Sequence, residues 1–187
     1  MNFLLTNDDG IWAPGLKALA TALVELGKVW ILAPDRERSA TGHAITVHKP
    51  LRPEKVELGV GEEAGTPADC VKLAMEVLLP QTPSWVCSGI NYGSNLGTDV
   101  LYSGTVSAAV EGTIYNLPSL AISLADPASD FAPAAVFAKD FLRKFQDESP
   151  GPTLININVP PGEPTQSRVT TLGVRRYCNV FEKRTDP

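Results

Sequence analysis

Short apolar runs bounded by turn residues alternate along the chain with longer stretches whose apolar positions recur at helical spacing, the pattern of strands and helices taking turns. Phe3-Leu4-Leu5, within residues 2–6, reads as a buried strand. Pro14 to Leu26 carries apolar side chains at Leu16, Leu19, Ala20, Leu23 and Val24, which predicts a helix stopped by Gly27. Val29-Trp30-Ile31-Leu32-Ala33 predicts a second buried strand. Strand, helix and strand with short links make a right-handed βαβ unit. Asn7-Asp8-Asp9-Gly10 therefore falls at the carboxyl end of the first strand of a parallel sheet, the edge where such sheets bind ligands.

The same reading carries on down the chain. Ala44 to Val47 and Leu51 to Leu58, split by Pro50, suggest an extended hairpin that projects from the core, with Gly59 to Gly65 as a turn-rich return. Thr66 followed by Pro67 starts a helix whose apolar face is Val71, Leu73, Ala74, Val77 and Leu78. Trp85-Val86-Cys87 is a core strand feeding a loop, Ser88 to Gly97, that is rich in glycine, serine and asparagine. Ser103-Gly104-Thr105 opens a helix through Ile114, and Leu120 to Ser123 is a further strand. Ala134 to Phe145 is amphipathic, Thr153 to Val159 and Arg168 to Leu172 read as strands, and Tyr177 to Pro187 has no core pattern.

A chain of 187 residues with 43% hydrophobic and 20% charged residues has ordinary globular composition and fits one well-cored domain. Its net charge of −5 gives no general attraction to nucleic acid polymers or anionic membranes, so an anionic ligand needs a local device such as a metal or a helix N-terminus. Cys70, Cys87 and Cys178 are odd in number and form no CxxC pair, which argues for buried thiols in a reducing compartment rather than a disulfide framework. No signal peptide and no run approaching 18 apolar residues is present, and a cytoplasmic location is expected.

Several positions carry candidate chemistry. Asp8 and Asp9 form either a solvated turn, for which Asn-Asp-Asp-Gly is well suited, or half of a site for a hard divalent cation such as magnesium or manganese. Ser39 lies in the polar loop after the neighbouring strand and can add a neutral oxygen from the same crevice, unless it is a turn former. In the Ser88–Gly97 loop Asn91 is a candidate oxygen ligand and Asn95 a candidate substrate contact, against a plain set of turns. Ser103-Gly104-Thr105 offers backbone N–H groups, two hydroxyls and a positive dipole end, which suits a phosphate as well as an ordinary N-cap. His43, in the Ser39 loop, is the more interesting of the two histidines. No GxGxxG, GxxxxGK[ST], HExxH or GxSxG motif occurs, so the usual dinucleotide, P-loop, zinc-peptidase and serine-hydrolase readings fail.

Taken together, Asn7-Asp8-Asp9-Gly10, Ser39 in Ser-Ala-Thr-Gly-His-Ala-Ile-Thr, Gly65 to Val71, the run from Ser88 to Gly112 and Asn156-Ile157-Asn158-Val159-Pro160 resemble the SurE survival-protein family of metal-dependent nucleotide phosphatases. The resemblance implies a Rossmann-like, three-layer α/β/α core with a mostly parallel sheet over residues 1–150. The final core strand and the start of a C-terminal oligomerisation arm would then lie in 151–187. It implies one divalent ion on Asp8, Asp9, Ser39 and Asn91, with Asp8 and Asp9 as catalytic residues and substrate contacts at Asn95, Ser103, Gly104 and Thr105. The implied activity is hydrolysis of nucleoside 5′- and 3′-monophosphates, with possible breadth to polyphosphate, by a homodimer or homotetramer. Members usually continue past Arg184-Thr185-Asp186-Pro187, so the chain is expected to be incomplete.

The expected chemistry is metal-assisted phosphomonoester hydrolysis, with one aspartate taking a water proton or attacking phosphorus itself. A non-catalytic nucleotide- or metal-binding regulator could use the same crevice, and a hydrolase of glycosidic bonds would release free base instead of phosphate.

Overall fold

The computed structural model describes residues 1–56, 59–62, 65–126, 130–164 and 166–175. Its elements in chain order are β1 (Asn2–Thr6), α1 (Pro14–Leu23), β2 (Lys28–Pro34), β3 (Pro53–Val56), β4 (Gly59–Glu62) and α2 (Pro67–Leu73). They continue with β5 (Trp85–Tyr92), α3 (Gly104–Ile114), β6 (Ser119–Leu124), α4 (Ala132–Arg143) and β7 (Leu154–Val159). A π-helical turn, Ala74–Leu78, prolongs α2, and a short 3₁₀ turn spans Gly97–Leu101.

The strands form one sheet in the order β3-β4-β2-β1-β5-β6-β7, parallel throughout except for β3, which runs antiparallel to β4. Numbering the parallel strands alone by chain order gives 3-2-1-4-5-6, the doubly wound arrangement expected of a Rossmann-like core. The order reverses between β1 and β5. Links from these two neighbours leave in opposite directions, and a crevice opens above their carboxyl ends.

Strand periodicity divides the core into two layers. Phe3 and Leu5 of β1 pack with Leu16, Leu19 and Leu23 of α1, and with Ala134, Ala138 and Leu142 of α4. Leu4, between them, points to the other face and packs with Cys70 and Val71 of α2 and Ala108 of α3. Burial of Cys87 in the first layer pushes its thiol far above the ordinary range, so it behaves as a small apolar residue.

This division shows an unusual connection. The β5–α3–β6 and β6–α4–β7 links step the same way along the sheet, yet α3 and α4 lie on opposite faces. The last link therefore has the opposite hand to the others. With the usual right-handed rule for β1–α1–β2, β4–α2–β5 and β5–α3–β6, it is left-handed. The consequence is that α4 braces α1 from the side, Lys139 of α4 reaching Glu25 just beyond α1 at 2.8 Å.

Local chemistry accounts for the helix starts. Pro14 opens α1 at its first position. Thr66 and Asp69 form a reciprocal capping box at the start of α2, with N···O distances of 3.1 and 2.9 Å. The hairpin falls on Pro53–Val56 and Gly59–Glu62 rather than on 44–47 and 51–58, and it extends the sheet edge because β4 pairs with β2. Residues 44–47 carry no strand, the Ser88–Gly97 loop is shorter because β5 runs on to Tyr92, and residues 168–172 form no strand. The expected end of the arm, residues 176–187, lies outside the described residues. Among the described residues no helix is long and apolar enough to cross a membrane.

Candidate metal and phosphate site

The loop after β1 is closed by its own first residue. Asn7 donates its side-chain amide to the Gly10 carbonyl at 3.0 Å and accepts the Gly10 N–H at 3.2 Å. Asp8 is held inside this turn at 4% exposure. Its carboxylate sits at the N-terminus of α3, accepting a short hydrogen bond from the Thr105 hydroxyl and further hydrogen bonds from the Gly104 and Thr105 backbone N–H groups. Burial raises its pKa, and these bonds together with the helix dipole oppose the rise. Only glycine fits at 104, since a Cβ there would lie 2.8 Å from the Asp8 Cβ and 2.9 Å from its Oδ2.

The N–H groups expected to be open for phosphate are thus partly committed. Gly104 and Thr105 serve Asp8, and the Val106 N–H goes to the Ser103 hydroxyl oxygen at 3.1 Å. Ser103 accepts through that oxygen and keeps its O–H proton to give away. A helix start read in isolation cannot reveal a carboxylate docked on it from 97 residues earlier in the chain.

Asp9 solves the problem of adjacent carboxylates differently. It lies beside β5, where the Tyr92 backbone N–H donates to its carboxylate, and its Oδ2 is buried without a hydrogen-bond partner. Desolvation, followed by the charges of Asp8 and Glu37, pushes its pKa up to about 6. Glu37 was not singled out by sequence reasoning. The available signal was an acidic residue two positions before Ser39 in the same polar loop.

Ser39 and Asn91 complete the set from neighbouring strands. The Arg38 N–H donates to the Asp8 carbonyl at 2.6 Å, so the loop after β2 is tied to the loop after β1. Ser39 is exposed and donates its hydroxyl proton to Glu37 Oε1 at 2.7 Å, which leaves its lone pairs free. Asn91 spends its amide N–H on the Gly93 carbonyl at 2.7 Å, which leaves its oxygen as the open end. An unpaired carboxylate oxygen, a hydroxyl and an amide oxygen form a hard-oxygen donor set, which fits a magnesium-type ion. Among the described residues no cluster of three or more His, Cys, Asp or Glu side chains is assembled, so such an ion needs the neutral oxygens.

Asn95 belongs to a separate network. It is buried, its side chain donates to the Ser123 hydroxyl at 2.8 Å, and its backbone N–H donates to Asn158 Oδ1 at 2.8 Å. Its carbonyl accepts from the side chains of Asn156 and Asn158 at 3.0 and 3.1 Å. The structure thus brings Asp8, Asp9, Gly104 and Thr105 into contact or near-contact, ties the Ser39 and Asn91 segments to them, and anchors Asn95 on β6 and β7. Cavities of about 510 and 760 Å³ along β7 contain none of the eight candidate residues. The site is an open crevice at the sheet edge.

A pH signature follows for the metal-free protein. The Asp9 pKa is higher folded than unfolded, so the folded state holds more protons between about pH 4 and 6, and stability falls as pH rises through that window. Asp9→Asn is expected to raise metal-free stability by about 1–2 kcal/mol at pH 7.5, after discounting for partial solvent exposure, and by little at pH 4. Urea melts at the two pH values check this; an equal gain at both would refute the assignment.

The family model described as Survival protein SurE matches residues 3–179. The "5'-nucleotidase SurE" of Pelotomaculum thermopropionicum is 55% identical over 194 aligned positions, covering all of this chain and 74% of the relative. The "5'-nucleotidase SurE" of Desulforudis audaxviator is 56% identical over 197, covering all of this chain and 77% of that protein. A crystal structure of the SurE protein from Aquifex aeolicus superposes with a TM-score of 0.82 at 42% identity, over 87% of this chain and 67% of the other. The family model spans nearly the whole chain and the fold match covers most of it, and the chain belongs to the SurE survival-protein family.

Proposed function

We propose that the chain is a phosphoric monoester hydrolase that cleaves nucleoside 5′-monophosphates to nucleoside and phosphate, acting with one divalent ion, magnesium or manganese. The observation that carries this reading is the Asp8–Asp9 pair at the sheet's switch point, Asp8 buried and Asp9 partly so. One carboxylate is satisfied by the N-terminus of α3, and the other has an oxygen with no partner. The activity matches the names of relatives that are more than half identical to the whole chain. Hydrolysis of 3′-monophosphates and of polyphosphate ends are extensions that use the same terminal phosphoryl group.

Asp8, Asp9, Ser39 and Asn91 would hold the ion. When bound, it supplies charge to a phosphoryl oxygen and to the attacking water. The chain's own groups do the rest. Ser103 and Thr105, at the positive end of α3, orient the phosphoryl oxygens, and Asn95 fixes the loop that borders them. Asp8 already has its carboxylate engaged by Thr105 and two backbone amides. Proton acceptance from water therefore falls to the Asp9 carboxylate.

The working unit is a cytoplasmic homodimer or homotetramer assembled through residues 151–187, downstream of a catalytic core over 1–150. Val169, Leu172 and Val174 support this by leaving apolar side chains exposed in that segment.

Incubation with AMP, GMP and 3′-AMP, with manganese or with excess chelator, tests the activity. Phosphate should appear, no free base should appear, and the chelator should remove the release. Chelator-insensitive release, or none with any divalent ion, would exclude the proposal.

A further inference from the structure

Ser39 sits in a segment, residues 35–52, that has no helix or strand to fix it. It is exposed, so packing does not fix it either. Upstream the segment is pinned by the Arg38 N–H to the Asp8 carbonyl, at 2.6 Å. Immediately downstream the Gly42 N–H bonds to the Tyr102 carbonyl at 3.1 Å, and His43 Nε2 lies 2.8 Å from Glu111 Oε2. Ser39 is suspended between these points.

The His43 contact differs from the backbone ones because its far end is buried. Glu111 is 6% exposed, on a helix whose neighbouring residues face the core, and a carboxylate there is costly to bury without a partner. The partner is His43, itself only a third exposed at the side chain. Lys72, the cation on α2, donates to the Tyr115 hydroxyl at 3.4 Å and meets Glu111 through charge without a hydrogen bond. Glu111 also stands seven residues, two turns, from Gly104, so it shares the helix face that docks Asp8. One rigid element thereby touches both halves of the site: Asp8 at its start, and the Ser39 segment through His43.

We propose that His43 and Glu111 are positioning residues that hold Ser39 beside the Asp8–Asp9 loop, in the orientation needed to offer its hydroxyl oxygen to a divalent cation. The inference rests on the reading of Ser39 as a ligand given above. Its second support is the neighbouring tether one and three residues beyond His43, where the Thr66 hydroxyl donates to the Ala44 carbonyl at 2.7 Å and the Thr46 N–H donates to buried Asp69 at 2.9 Å. These bonds keep the downstream end on α2, so loss of the His43 contact acts on the stretch between Arg38 and Ala44, which then rests on the Gly42 N–H bond to the Tyr102 carbonyl.

The test is manganese binding measured by calorimetry on the full chain, for wild type, His43→Ala, His43→Gln and Ser39→Ala, and for Ser39→Ala combined with His43→Ala. His43→Ala should weaken manganese binding about ten-fold, while His43→Gln, whose amide can still donate to Glu111, should retain most of the affinity. In the Ser39→Ala background the His43→Ala substitution should have no further effect, because its route of action is gone. His43→Ala also leaves the buried Glu111 carboxylate unpaired, so its thermal midpoint should fall while that of His43→Gln stays nearer wild type, and the affinities are compared at a temperature where every variant is folded. Wild-type affinity in His43→Ala, or full weakening in the Ser39→Ala background, would overturn the proposal. A wild-type chain that binds no manganese would overturn it too. That case is recognised as failure of the broader functional reading when metal-dependent phosphate release is also missing.

Discussion

Asp8→Asn is expected to lower kcat/KM for nucleoside monophosphates on the order of a thousand-fold, with the fold intact. The substitution keeps the volume of a side chain that is almost wholly buried, so no cavity forms. It removes a negative charge from the centre of the proposed cation site. It also replaces one oxygen with an amino group facing a crowd of donors, the Thr105 hydroxyl and the Gly104 and Thr105 N–H groups. Only one carbonyl oxygen remains to accept from all three. Weaker metal binding and a displaced α3 start should act together, so added manganese should restore part of the loss. Phosphate release across a manganese titration, with circular dichroism to check folding, measures this. A variant within ten-fold of wild type would remove Asp8 from the site.

Gly15→Ala is expected to destabilise the protein by about 3 kcal/mol, roughly 10 °C in thermal midpoint, against the usual sign for such a change. In an ordinary helix, alanine for glycine stabilises by about 1 kcal/mol. Here a Cβ at position 15 would stand 2.1 Å from the Ile90 carbonyl oxygen and 3.1 Å from a Phe131 ring carbon. A backbone carbonyl in a central strand cannot move aside as a flexible side chain can, so α1 must lift from β5. Because Ile90 precedes Asn91, the same displacement should weaken metal binding. Calorimetric melting with and without manganese reads both effects. An unchanged or raised midpoint would show that α1 does not press on β5 in this way.

Local pattern revealed those parts of the fold whose stability is local. The apolar runs of β1 and β2, the Pro14 and Thr66 helix starts and the loop carrying Asp8 and Asp9 stand where periodicity and turn chemistry put them. What the pattern hid depends on partners far along the chain. Gly59–Glu62 has turn composition, yet pairing with β2 on one side and β3 on the other makes it a strand. Ser88-Gly89-Ile90 reads as loop, yet Ser88 and Ile90 are fully buried as β5 continues between β1 and β6. Arg168–Leu172 has strand composition, yet it forms no strand although β7 stands at the end of the sheet. At the site the residue types were visible, but the division of labour was not. Nothing near Asp8 in sequence says that α3 will neutralise it, and nothing near His43 says that a buried glutamate awaits it on that helix.

The asparagine pair of β7 bears on the order in which the molecule becomes competent during synthesis. The loop through Asn95 emerges early, but its backbone donor and acceptor are satisfied by Asn156 and Asn158, more than sixty residues later. A chain emerging from the amino end can pair β1, β2 and β5 and hold both aspartates before β7 exists. The loop bordering the phosphate must wait for the last strand. Competence for substrate is thereby linked to completion of the sheet, so a nascent or prematurely ended core would hold its carboxylates without a finished crevice around them.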